Sequence, residues 1–351
     1  MKRKRLIRVL FVSHNPGGFQ AIFPVYKRLK GNPKFFVDYI FADEAQSIAE
    51  DSQVQFIPVK RVTEKYIEKK CSVMRPDILL FGTSEGLSID KLAVLVAREQ
   101  HIVSVALIDY WSNYVMRFSD PGKENLAYLP DWILVMDEYT KQEMINEGFS
   151  ANQIIVTGNP FFDTLRYSKK EENFPARLVS FFDEPLDTIS NEVRIFQDLV
   201  NALEELGMNA KVAVKLHPRS SKKNKYNSVI KKSILDIEVD QVTPADDLFR
   251  KSDLVLGIAS TVLFRAAMEG KRVLSYQPGN KGHDTLITNA LGLSLGVYQK
   301  SDLKKQLLFL LQKRQRCKNE KIAKAYLAGC ATDNVIRFLD ALACKKESNV
   351  A

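Results

Sequence analysis

The chain has 351 residues, 45% of them hydrophobic and 26% charged, a composition that fits a globular protein of two domains because single cores stop growing near about 250–300 residues. Its formal net charge of +9 is concentrated at residues 1–5, 222–225 and 312–318, which favours anionic partners such as nucleotides, acidic polysaccharide or an acidic membrane surface. Cys71, Cys317, Cys330 and Cys344 show no CxxC pair and no histidine at ligand spacing, and no apolar run reaches the roughly 18–20 residues of a membrane span; neither a zinc site, a disulfide framework nor a transmembrane helix is signalled, and a reducing cytoplasm is expected.

Along the chain, the β-branched run "LIRVLFVS" (residues 6–13) reads as a strand, halted by "HNPGG" and followed by the helical spacing of "QAIFPVYKRLKG". Gly17 and Gly18 in that loop let backbone approach a ligand, although plain turn chemistry accounts for them equally well. The loop lacks G-x-G-x-x-G, so it carries no dinucleotide fingerprint. A strand at 35–42, a helix near 62–74 and the strand "DILLFG" (77–82) follow. The next loop offers Thr83, Ser84 and Glu85, with Ser88 as N-cap of the helix "IDKLAVLVAREQ".

The strand "IVSVALID" runs into "YWSNYVMRF", and residues 109–117 across the join crowd Asp109, Trp111, Asn113 and Arg117 into nine positions. Aromatics interleaved with a carboxylate, an amide and a guanidinium suit a sugar or a base, the alternative being a packing surface with a buried salt bridge. Asp109, at its strand's end, is the candidate general base for an acceptor hydroxyl. "WILVMD", the helix "EYTKQEMINEG" and the strand "QIIVTG" complete a first lobe placed at residues 1–157. Asp163, in "VTGNPFFDTL" at the crossover, reads as a helix N-terminal carboxylate.

The order then restarts: strand 176–185, helix 192–207, strand "KVAVKLHP", a short strand "DIEVD", helix "PADDLFRKS", strand "LVLGIA", helix "STVLFRAAMEG" and strand "RVLSYQ". This second lobe is placed at residues 158–335, with a terminal helix and tail at 336–351. Strands alternating with helices mean parallel sheets covered on both faces, hence an α/β fold of two Rossmann-like, doubly wound lobes facing a cleft. Lys215, His217 and Arg219 cluster at one strand end and Ser260 and Thr261 at a helix start on the same edge, which is what a phosphate needs. Ser260 alone would read as a cap, and Pro218 as a strand terminator.

These motifs carry a resemblance. "VTGNPFFD" resembles the interlobe segment of UDP-N-acetylglucosamine 2-epimerases and lipid-A-disaccharide synthases, and "KLHPR" with "ASTVLFRAAMEG" is similar to the HP and Ser/Thr motifs of bacterial sialyltransferases and polysialyltransferases, all of the GT-B type. The resemblance implies that His217 and Ser260 or Thr261 hold the donor's nucleotide phosphate and that Glu269 holds its ribose. It further implies a glycosyltransferase that moves a sugar, sialic-acid-like by this resemblance, from a CMP- or UDP-linked nucleotide sugar to a glycan or glycolipid hydroxyl, and with no Asp-x-Asp motif at a strand end the expected transfer is metal-independent. No cofactor beyond the donor, no metal and no nucleic acid is expected. Two alternatives stay open: a nucleotide-sugar 2-epimerase and a non-catalytic binding protein of the same fold. The basic residues 1–5 add salt-sensitive attraction to an acidic membrane face.

Overall fold

The apolar runs form two six-stranded sheets in which every pairing is parallel. The computed structural model describes residues 5–51, 61–167, 176–186, 189–217, 220, 222, 224–281, 284, 286–312 and 320–348. Pro218, Arg219, residues 1–4, Lys223 and the basic run 313–318 with Cys317 lie outside the described residues.

In the first lobe, β1 (Ile7–Ser13), α1 (Pro16–Lys30), β2 (Phe35–Phe41), α2 (Asp43–Asp51), α3 (Glu64–Met74), β3 (Ile78–Gly82), α4 (Ile89–Glu99), β4 (Val103–Leu107), α5 (Tyr114–Arg117), β5 (Trp132–Val135), α6 (Glu138–Asn146) and β6 (Ile154–Val156) follow one another. The sheet order is β2-β1-β3-β4-β5-β6, so the winding reverses between β1 and β3. Central strands read as continuous apolar runs because both faces are covered: β3 is buried at every position, and Val9, Leu10, Phe11 and Val12 of β1 are fully buried. The helix α2 adds to the expected elements; only nine residues long and acidic at its start, it follows β2 directly.

The second lobe runs β7 (Leu178–Phe182), α7 (Ile189–Glu205), β8 (Lys211–Lys215), α8 (Asn227–Ile230), β9 (Ile237–Val239), α9 (Ala245–Lys251), β10 (Leu254–Gly257), α10 (Thr261–Met268), β11 (Val273–Tyr276), α11 (Ile287–Ala290), β12 (Leu295–Val297), α12 (Lys300–Gln312) and α13 (Glu320–Tyr326). Its order, β12-β11-β10-β7-β8-β9, reverses between β7 and β10. In open α/β sheets ligands bind beyond the strand carboxyl ends at such reversal points. By that rule the candidate positions are the loops after β1 and β3, and the loops after β7 and β10.

The last helix, α14 (Ala331–Ser348), returns to the first lobe, where Val335 and Leu339 are fully buried in the core with Phe11, Val25 and Leu29. The compact units are Met1–Thr164 with Ala328–Ala351, and Leu165–Leu327. The first boundary falls later than the expected 157 and the second earlier than the expected 335. The turn Pro160–Thr164 explains both, because Asp163 accepts from Ala331 N at 3.2 Å and Thr332 N at 2.7 Å and so caps α14. Asp163 is thus a helix N-terminal carboxylate, as its sequence suggests, but for a helix far along the chain. Among the described residues no helix is long and apolar enough to cross a membrane.

One close approach sets the geometry of the β1–β3 reversal. A Cβ on Gly82, at the end of β3, would fall 2.4 Å from Gly18 Cα in the first turn of α1. Only two glycines allow the helix start to rest on the strand end. Gly82→Ala is expected to cost about 1–3 kcal/mol of stability, read as a lowered urea midpoint. An unchanged midpoint would show that α1 can move away without loss.

Candidate functional site

At the first reversal, His14 follows β1 and Ser84 follows β3. His14 Nε2 lies 2.8 Å from Ser84 Oγ and 3.4 Å from Asp90 Oδ1. Ser84 Oγ in turn lies 2.9 Å from that carboxylate oxygen, and Ser84 N donates to Asp90 Oδ2 at 3.1 Å. Asp90 sits in the first turn of α4 and is 1% exposed, whereas the His14 side chain keeps 24% of its surface. Burial opposes a charge on His14, yet the hydrogen bond and charge of Asp90, with Asp43 and Glu44 behind, raise its pKa above the ordinary imidazole value. In the tautomer whose Nε2–H faces Ser84 and Asp90, the neutral ring presents the Nδ1 lone pair, 3.8 Å from Asp43 Oδ2. A partly exposed imidazole backed by a buried carboxylate has the make-up that general acid–base chemistry uses.

Beside it, Arg117 gathers the next loops. Its Nη1 donates to Asp109 Oδ1 at 2.5 Å and to Thr83 Oγ1 at 2.9 Å, and its Nε to Ser112 O at 3.0 Å. Both partners are mostly buried, with side-chain exposures of 7% for Arg117 and 15% for Asp109. Gly17 makes room for Asp109, since a Cβ there would fall 2.0 Å from Asp109 Oδ2. Asn159 Nδ2 donates to the Asp109 carbonyl at 3.2 Å. Lys91, fully buried with its pKa lowered by that burial, donates to Met116 O at 3.0 Å and Ser119 O at 2.6 Å and so fixes the segment that carries Arg117. Glu85 accepts from Asn113 Nδ2 at 2.6 Å on the exposed rim.

The structure thus brings Gly17, Thr83, Ser84, Glu85, Asp109, Asn113 and Arg117 to one edge, with Gly18 spent on packing against Gly82. Trp111 requires a correction. Its ring is 4% exposed, stacked on Phe162 at 5.7 Å, and its Nε1 donates to Asp137 Oδ2 at 2.8 Å. It is core, not a face for a sugar, because a buried indole takes both an aromatic neighbour and an acceptor for its N–H.

At the second reversal, register sets Lys215 beside Phe182, and Gly257 follows the residue paired with Phe181, so the three strand ends lie level. Lys215 is 3.9 Å from Asp240, and His217 N donates to Asp183 Oδ2 at 3.2 Å. Ser260 is the N-cap residue of α10 but makes no capping hydrogen bond, and its buried Oγ has no partner among the described residues. Thr261 beside it is exposed. Capping therefore does not account for the Ser260 hydroxyl. Glu184, just past β7, accepts from Ala259 N at 2.7 Å in the same loop.

Glu269 does not join this edge. It closes α10 at the opposite end, roughly 12 Å along the helix at 1.5 Å per residue. There it accepts a bidentate pair from Arg250, Nε to Oε2 at 2.8 Å and Nη2 to Oε1 at 2.7 Å. The ribose role expected of it is corrected by this placement.

The sequence does not single out His14 or Asp90. It does hold a signal for His14, a histidine at the carboxyl end of the first strand before two glycines, but this reads as a strand stop until Asp90 is set beside it.

No family model matches the chain, and no curated protein matches it either. Solved structures do. UDP-GlcNAc 2-epimerase from Methanocaldococcus jannaschii is similar with a TM-score of 0.73 at 15% identity, over 95% of this chain and 100% of that one. The Neisseria meningitidis UDP-GlcNAc 2-epimerase, solved bound to UDP-GlcNAc, gives 0.70 at 14% identity over 95% and 99%. MurG from Acinetobacter baumannii gives 0.62 at 14% over 95% and 99%. At such identities the likeness establishes the fold: two Rossmann-like lobes of the GT-B type, shared by epimerases and glycosyltransferases.

Proposed function

We propose that the chain is a nucleotide-sugar glycosyltransferase in which the first lobe's reversal point activates an acceptor hydroxyl and the second lobe's holds the donor phosphate. The observation that carries this reading is the His14–Ser84–Asp90 group. His14 Nδ1 accepts the acceptor's proton, the oxygen bonds to the anomeric carbon, and the sugar–phosphate bond breaks with its electron pair leaving on the nucleotide. Asp90 steadies the imidazolium so formed. The base role expected of Asp109 passes to His14, because the Asp109 carboxylate is committed to the Arg117 guanidinium at 2.5 Å. Asp109 and Arg117 then orient the acceptor, with Glu85 and Asn113 on the rim.

In the second lobe, Lys215, His217, Ser260 and Thr261 take the phosphate, with Arg219 in the same segment. Cationic side chains and the α10 N-terminus stabilise the negative charge that grows on the leaving group. A glycan or glycolipid acceptor and a CMP- or UDP-linked donor belong to the same reading, the sialic-acid-like sugar resting on "KLHPR" and "ASTVLFRAAMEG" alone.

The second reading is a 2-epimerase, favoured by the full-length similarity to the Methanocaldococcus and Neisseria structures. Proton NMR of UDP-GlcNAc with the protein alone separates the two. The transferase reading expects unchanged sugar over hours. Appearance of the 2-epimer without acceptor would replace it with the epimerase reading.

A further inference from the structure

Beneath the His217 amide lies a buried group of charges that the proposed chemistry does not use. Asp183, the first residue past β7, accepts from Lys225 Nζ at 2.9 Å on Oδ1 and 2.8 Å on Oδ2, from Tyr226 OH at 2.6 Å and from His217 N at 3.2 Å. The same ammonium pairs with Glu192, whose other oxygen accepts from Leu186 N at 2.8 Å. The side chains of Lys225, Asp183 and Glu192 are 2%, 1% and 5% exposed. Burial and Asp183 both drive the Tyr226 pKa upward, so Tyr226 serves Asp183 as a neutral donor. Two carboxylates thus share one ammonium, leaving one excess negative charge.

Stability is a poor explanation for such a group, because well-packed apolar residues in place of buried ion pairs are often neutral or stabilising. What the charges impose is geometry. Lys225 and Asp183 tie the loop after β8 to the end of β7, and Glu192 ties the loop after β7 to α7 through Leu186. Glu184 reaches the other way, to Ala259 in the loop after β10. The loops after β7, β8 and β10 are therefore all referenced to the residues just past β7.

We propose that Lys225 is a positioning residue for the phosphate edge of the second lobe: its ammonium, through Asp183, fixes the backbone of His217 where that loop meets a nucleotide phosphate. The proposal rests on the reading of this edge as a phosphate site.

NMR titration with uridine and with UDP tests it, because only UDP engages a phosphate site. The wild-type protein is expected to bind UDP at least about tenfold more tightly than uridine. Equal affinities would remove the phosphate-site reading and this proposal with it. The double variant Lys225→Met/Glu192→Gln keeps one excess negative charge while removing the ammonium. It is expected to bind UDP about tenfold more weakly with uridine affinity unchanged. A folded double variant with wild-type UDP affinity, or one that loses both ligands equally, overturns the proposal. Should the double variant not fold, Tyr226→Phe decides, since it takes one hydrogen bond from Asp183 at constant charge: UDP binding about threefold weaker supports positioning, and wild-type UDP binding sinks it.

Discussion

His14→Ala is expected to lower turnover by about 10²–10⁴ while nucleotide affinity stays within about twofold, since a general base acts on the acceptor and not on the donor phosphate. The pH profile adds a second signature. A base must be neutral to work, so the rate rises as His14 loses its proton, and the raised pKa places that rise above the ordinary value of about 6.5. Asp90→Asn removes the carboxylate that raises it, so the limb should move to lower pH while the maximal rate falls. Stability carries the opposite sign. A raised histidine pKa contributes below the unfolded value, and the contribution disappears as pH rises through the folded one. Steady-state rates from about pH 5 to 9 against donor and acceptor check all of this; an alanine variant with full activity would take His14 out of the mechanism.

Lys225→Met is expected to lower stability by about 3–5 kcal/mol, more than Gly82→Ala does, because it strands Asp183 and Glu192 in the interior without a cation. Urea unfolding measures the loss directly. Glu192→Gln added to it is expected to restore part of the stability, since one of the two stranded charges is then gone. A single variant as stable as the wild type would mean that water or another cation reaches the two carboxylates.

The alternation of apolar runs with helical spacing made both parallel sheets legible, since a strand covered on both faces must be apolar throughout, as in "DILLFG". It could not reveal β12, where "LSLGV" pairs at only three residues, one of them a glycine, or α2, whose acidic start reads as loop. The site divides in the same way. Residues at strand ends, such as Asp109 and His217, are legible because sheet topology brings strand ends to one edge. The pairing of His14 with Asp90 is not, because the 75 intervening residues carry no trace of which helix turn meets which loop. Trp111 shows the limit of composition, which describes what an indole can do but not whether it is buried. Glu269 was legible after all: eight residues of helix separate it from Ser260, and simple rise places it at the wrong end.

The return of α14 to the first lobe has a consequence for biosynthesis. The core that receives Val335 and Leu339 is assembled mainly from the first 164 residues, yet two of its fully buried side chains emerge from the ribosome only after the whole second lobe. At about 5–20 residues per second, residues 165–327 impose a wait of roughly 8–33 s on a half-finished domain whose α1 flank faces water. The lobe made first is the lobe completed last.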